Sequence, residues 1–211
     1  MAEVYLRRLS RWQADQQRNT VADVYAGAYR GADGVAGAAG GGPLDRQGFL
    51  RRLEQHVQYT GFDMVVADSA GTVGCAYGFR LPPAGEDRPD FRGALPADVE
   101  EHAASGRTFL LAELMVLPAH RRLGIATRLV EQLLIRLDTD LVVATTEGGA
   151  GDGTAAGGAA DEVFRAWGWT RYGVPAAGPG PGTGAGAGTR TGTDAGPDGA
   201  TRTVWVRRPL R

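Results

Sequence analysis

Apolar side chains along this chain recur with two periods, and the clearest switch between them lies in its middle. From Phe109 to Leu117 the run is apolar except for one acid, Glu113, and it ends at Pro118, which has no amide to donate to a central ladder. That pattern predicts a buried strand. From Ile125 onward the apolar positions Leu129, Val130, Leu133, Leu134 and Leu137 return at helical spacing, while Thr127, Arg128, Glu131, Gln132 and Arg136 make the opposite face polar. A β-rich run, Leu141 to Thr146, follows and is expected to lie parallel to the first strand, completing a βαβ crossover.

The flanking segments add elements of both kinds. Val4 to Leu9 predicts a first strand, and Thr20-x-x-Asp23 reads as a capping signal for a helix over Val21 to Tyr29. Asp45 is placed to cap a second helix burying Phe49, Leu50, Leu53 and Val57. Phe62 to Asp68 and Thr72 to Leu81, joined by Ser-Ala-Gly, predict a hairpin. Pro82 to Arg107 is polar and acidic, with a short helix opened by Pro96, and its charges read as solvated surface. A second short helix is expected over Asp161 to Gly168, then a strand from Trp169, and a final strand over Thr201 to Arg208 that pairs back onto the sheet. Glycine-rich stretches near 31–42, 147–160 and 176–200 interrupt this order and predict disordered loops, the last because apart from proline it holds no apolar side chain larger than alanine and buries too little surface to offset ordering entropy. One stretch, Gly151-Asp152-Gly153-Thr154-Ala155-Ala156, matches a dinucleotide fingerprint formally. No strand ends at its first glycine and no ribose-binding acid follows, so it reads as low-complexity loop.

Composition narrows the function classes. The chain has 211 residues and a formal net charge of −1, which suits one domain and gives no electrostatic footprint for nucleic acid. All 23 basic residues are arginine. A single cysteine, Cys75, excludes an internal disulfide, and in its apolar run it reads as a small core residue. His56, His102 and His120 are too scattered for metal-ligand spacing, so no metal is expected. No run approaches the ~20 apolar residues of a membrane span and the N-terminus lacks an apolar signal segment, so a cytoplasmic protein without membrane contact is expected.

The turn between the central strand and its helix carries candidate chemistry. A helix start leaves its first amides without intrahelical acceptors, and these attract anions together with the positive end of the helix dipole. Gly124 lets a ligand approach the backbone there, and Arg121, Arg122 and Arg128 add positive charge. Arg121-x-x-Gly124-x-Ala126, preceded by Leu114-x-Val116-x-Pro118, resembles the coenzyme A pyrophosphate motif R/Q-x-x-G-x-G/A of the GNAT N-acetyltransferase superfamily. The match sits between the expected strand and the expected amphipathic helix, which makes it far more specific than the short consensus alone. Phe62 to Phe79 resembles the second and third strands of that family, and Phe164-x-x-x-Gly168-Trp169 resembles its Y-x-x-x-G-F motif.

The resemblance implies an α/β GNAT fold: a mixed central sheet of about six to seven strands, helices on both faces and central parallel strands that splay apart. It implies acetyl-CoA as co-substrate, with the coenzyme held by Met115, Val116 and Leu117 on the strand edge, by Arg121, Arg122, Leu123, Gly124, Ile125, Ala126 and Thr127 at the turn, and by Phe164. It further implies a primary amine acceptor, small molecule or peptide, attacking directly in a ternary complex, and it is compatible with a homodimer. The first two helices would wall the acceptor site. Glu113 is the candidate base, because an alkylammonium of pKa near ~10 is almost wholly protonated at neutral pH and a carboxylate inside an apolar strand is expected to have a raised pKa. The sequence departs from the family at Phe164, where a tyrosine often protonates the departing thiolate, and the asparagine that often precedes it is missing. Tyr77 and Tyr172 are candidate substitutes. The departure also keeps open a non-catalytic acyl-CoA-binding domain.

Overall fold

The computed structural model describes residues 3–29, 46–82, 97–147, 159–173 and 202–208. Thus the glycine-rich stretches 31–42 and 176–200, residues 148–158 of the third, and the proposed caps Asp45 and Pro96 lie outside the described residues. The elements in chain order are β1 (Tyr5–Leu9), α1 (Arg11–Gln16), α2 (Arg18–Tyr29), α3 (Arg46–His56), β2 (Asp63–Asp68), β3 (Thr72–Arg80), α4 (Ala97–Ala104), β4 (Thr108–Val116), a 3-10 turn (Pro118–His120), α5 (Ile125–Leu134), β5 (Leu141–Glu147), α6 (Ala159–Ala166), β6 (Thr170–Gly173) and β7 (Arg202–Arg207).

The strands form one mixed sheet in the order β1-β2-β3-β4-β5-β7-β6. Pairing is antiparallel throughout except between β4 and β5, as the crossover through α5 requires. The C-terminal strand does not add at an edge. It enters between β5 and β6, pairing Ala144 with Trp205 on one side and Tyr172 with Val204 on the other.

Both faces of the sheet are covered, so its inner strands are apolar on both sides rather than alternating. On β2, Val65 and Ala67 join the cluster around α5, while Met64 and Val66 join the cluster under α2 and α3. Four residues of α5, Ile125, Leu129, Val130 and Leu133, are buried against β2, β3 and β4. At about 1.5–3 kcal/mol each, their burial is worth roughly 6–12 kcal/mol before the entropy of ordering is subtracted. Cys75 is fully buried under α2 and α3, and burial, with the Glu113 carboxylate nearby, holds its thiol well above the ordinary range.

The N-terminal region starts differently from the sequence expectation. Thr20 does not cap a helix; it lies inside α2, which begins at Arg18. The cap is at Ser10, whose side chain accepts from the Gln13 amide while the Gln13 side chain accepts from the Ser10 amide. This reciprocal box starts α1, a separate short helix.

β4 carries a bulge. Tyr77 of β3 pairs with Glu113, but the next residue, Gly78, pairs with Leu111, which leaves Ala112 as the extra residue. A side chain at Gly78 would collide with the Leu110 carbonyl and reach within 2.5 Å of the Phe109 ring. The irregularity therefore requires glycine on the partner strand.

Candidate active site

The site begins where two parallel strands part. β4 and β5 pair only from Thr108 with Leu141 to Leu111 with Ala144, and beyond that point Thr145 to Glu147 pair with β7 alone. On β4, Leu117 still donates to the Val73 carbonyl of the β3 side. The alternation of an antiparallel ladder then turns the amides and carbonyls of Leu114 and Val116 toward the edge that β5 has left. A wedge lined by strand backbone that β5 no longer pairs opens there, with the Val116 carbonyl taken by Arg121. Met115 itself is buried and faces α2 and α3, whereas Val116 and half-buried Leu117 pack against the α5 cluster.

The turn that follows points a second set of amides at the same end of the sheet. His120 and Arg121 donate within the 3-10 turn, and the next backbone bond runs from Arg128 to the Gly124 carbonyl. Among the described residues, the amides from Arg122 to Thr127 find no backbone acceptor. Gly124 is the N-cap of α5 in the left-handed region, φ 72°, and nothing lies within 4 Å of where its side chain would project. Arg122 is also left-handed, at φ 61°, an unusual conformation for a residue with a Cβ. Ile125 is buried in the core, Leu123 is exposed and Ala126 is partly buried. The Thr127 hydroxyl accepts from the Trp167 indole at 3.1 Å, which ties the end of α6 to the first turn of α5.

The three arginines do different work. Arg121 donates to the Val116 carbonyl at 3.2 Å and to the Ala28 carbonyl, joining the end of β4 to the last turn of α2. Arg128 donates to the Val4 carbonyl at 3.0 Å. Exposed Arg122 makes no hydrogen bond or ion pair among the described residues.

Glu113 sits two residues beyond the last β4–β5 pair, with its side chain on the α2–α3 side. It is 9 % exposed, and its Oε1 accepts from the Tyr29 hydroxyl at 2.6 Å. Burial first, and the Glu113 carboxylate second, hold the Tyr29 phenol well above its ordinary range, so it remains a donor. Tyr77, opposite Glu113 on β3, has its hydroxyl 3.1 Å from Nδ1 of buried His56. The sequence marked Glu113 but not Tyr29, whose partner is 84 residues away and whose own position read only as part of a helix's apolar spacing.

Phe164 lies in an aromatic cluster. Its ring stacks on Trp205 with centroids 5.5 Å apart and meets Trp169 edge-on at 4.9 Å. The Trp205 indole donates to Thr146 at 3.0 Å, and the Thr146 hydroxyl donates to buried Asp161 at 3.2 Å. The side chain of Tyr172 lies outside the described residues. Among the described residues, no group of three or more His, Cys, Asp or Glu side chains could hold a metal ion, and no helix is long and apolar enough to cross a membrane.

Known structures share this architecture. An acetyltransferase from Thermus thermophilus aligns over 99% of both chains at 14% identity with a TM-score of 0.54. A Salmonella typhimurium protein reported as an acetyltransferase, solved with its cofactor acetyl-CoA, aligns over 100% of this chain and 96% of its own at 16% identity, TM-score 0.55. Diaminobutyrate acetyltransferase from Paenibacillus lautus, in complex with L-2,4-diaminobutyric acid and coenzyme A, aligns over 99% and 96% at 13% identity, TM-score 0.51. At these identities the likeness is one of fold. No curated protein matches the sequence significantly. The acetyltransferase (GNAT) family profile matches residues 7–148, more than half of the chain and the part that holds the strand divergence, the α5 turn and Glu113, and the chain therefore belongs to the GNAT acetyltransferase family.

Proposed function

We propose that this protein transfers an acetyl group from acetyl-CoA to a primary amine, with Glu113 accepting the proton that the amine must lose. The observation that carries the reading is the meeting of three features at one end of the sheet: the strand edge opened beyond Leu111, the acceptor-free amides from Arg122 to Thr127, and buried Glu113. These residues suit coenzyme A. The free amides and the helix start suit its phosphates, open space at Gly124 permits close approach, and the Leu114 amide and carbonyl with the Val116 amide suit the amides of an extended pantetheine arm. The Salmonella typhimurium structure with acetyl-CoA supports the donor, and the Paenibacillus lautus enzyme with its diaminobutyrate substrate supports an amine as acceptor.

When bound, acetyl-CoA supplies the acyl group as a thioester. The amine nitrogen bonds to the acyl carbon as the carbon–sulfur bond breaks, and the sulfur leaves as a thiolate. A thiol of pKa near ~8.5 departs tolerably without a proton donor, which fits a phenylalanine at position 164. The harder step is to deprotonate an ammonium of pKa near ~10, where a positioned base contributes on the order of 10²–10⁴-fold.

The test is to incubate the protein with acetyl-CoA and a panel of polyamines, aminoglycosides, amino acids and peptides, reading free thiol, alongside Gly124→Glu. The proposal expects amine-dependent thiol release above hydrolysis by the wild type, and loss of acetyl-CoA binding by calorimetry in the folded variant. Tight binding without turnover of any amine would instead identify an acyl-CoA-binding module. Retained affinity in Gly124→Glu would remove the coenzyme from this turn.

A further inference from the structure

The inference concerns what holds Glu113 and rests on the acetyl-transfer reading. Tyr29 is the last residue of α2, and its hydroxyl meets Glu113 Oε1 at 2.6 Å, within the short range expected when a hydroxyl donates to a carboxylate. Two arrangements keep that hydroxyl in place. The Tyr29 ring packs edge-on against Tyr25 with centroids 4.8 Å apart, and Tyr25 stacks on Phe49 at 4.3 Å while its hydroxyl accepts from Arg52 at 3.1 Å. Arg121 then clamps the backbone, since one guanidinium holds both the Ala28 carbonyl, one residue before Tyr29, and the Val116 carbonyl, three residues after Glu113. Donor and acceptor are thus fixed from both sides of the contact.

We propose that Tyr29 is the positioning residue of the reaction: it holds one oxygen of the Glu113 carboxylate at the mouth of the strand divergence and keeps that carboxylate a proton acceptor rather than a proton carrier. The other titratable groups around Glu113 are Tyr25 on α2, Tyr77 and Cys75 on β3, His56 on α3 through the Tyr77 hydroxyl, and Arg52 on α3 through the Tyr25 hydroxyl. The sign follows from the bond. A donor to the charged form favours ionisation, so its removal makes Glu113 easier to protonate and moves the acid limb of the kcat/KM profile to higher pH. A charge-assisted bond of this kind corresponds to a shift of about one to two pH units.

The experiment uses the full chain, acetyl-CoA and the panel amine with the largest turnover, and compares wild type, Tyr29→Phe and Glu113→Gln over the acidic to neutral range. Glu113→Gln is expected to lose ~10²-fold or more in kcat/KM, together with the acid limb. Tyr29→Phe is expected to keep its acetyl-CoA affinity while its acid limb rises by about one to two units. A Tyr29→Phe profile superimposable on wild type, beside an inactive Glu113→Gln, overturns the role of Tyr29 and leaves the acetyl-transfer reading standing. Wild-type rates in Glu113→Gln remove Glu113 as the base, and Tyr29 with it. Should Tyr29→Phe fail to fold, protein labelled with carbon-13 at tyrosine Cζ decides the matter: one tyrosine resonance must move in Glu113→Gln, and an unchanged spectrum overturns the contact.

Discussion

At the scale of single residues, the contact between Tyr29 and Glu113 makes a claim about alkaline stability that needs no substrate. The folded phenol ionises well above its ordinary pKa because it is buried and beside a carboxylate. The unfolded phenol ionises near ~10, so the contribution of Tyr29 is complete below that pH and is lost as pH rises past it. In urea unfolding, the stability difference between wild type and Tyr29→Phe should therefore be constant at neutral pH and shrink above about pH 10. Parallel curves through that range would mean the hydroxyl is not held as described. Legibility at this scale depended on contrast with neighbours. Glu113 was visible as the lone acid in an apolar strand, and Gly124 stood in a motif of fixed spacing. Tyr29 had no such contrast, because an aromatic on a helix face reads the same whether its hydroxyl finds a partner or water. Arg121 and Arg128 read as positive charge for phosphate at the turn, yet both bind backbone carbonyls, contacts that depend on where distant segments pass.

At the scale of elements, the bulge in β4 turns a run of apolar residues into a site. In a regular ladder Ala112 would oppose Tyr77 and Glu113 would oppose Ala76, which would turn the Glu113 side chain toward α5 instead of α2 and α3. Gly78→Ala tests this directly, since the new methyl would strike the Leu110 carbonyl and the Phe109 ring. The substitution should destabilise the fold by about 1–3 kcal/mol in urea titration, and a folded variant should lose acetyl transfer because the carboxylate is misdirected. Unchanged stability and activity would show that the bulge does not require glycine at position 78. β4 and α5 were legible because their periods are long and clean. The bulge was not, although a glycine inside an apolar strand was its trace. The start of α1 was overlooked for a related reason: Ser10 and Gln13 form a capping box, but the helix they open is only 6 residues long and has one buried side chain, Ala14.

At the scale of the whole molecule, the strand inventory was legible and the strand order only in part. The βαβ crossover fixes β4 beside β5, and the hairpin fixes β2 beside β3, because local connections leave few alternatives. The position of β7 is set by contacts far apart in the chain, among them the Trp205 indole on Thr146 and the Phe164 ring on Trp205. A chain ending at residue 200 would lack β7, leaving β5 an open edge beyond β4 and β6 without its partner. It should be insoluble or lack cooperative unfolding by circular dichroism, and a soluble, cooperatively melting truncation would show that the sheet closes without its last strand. This arrangement also has a history written into it. At ~5–20 residues per second of synthesis, the 60 residues from the end of β5 to the end of β7 take roughly 3–12 s to emerge. Until β7 has emerged, a growing chain on the ribosome leaves the β5 edge from Leu141 to Thr146 without its partner strand, so the nascent protein is open to mispairing over that interval.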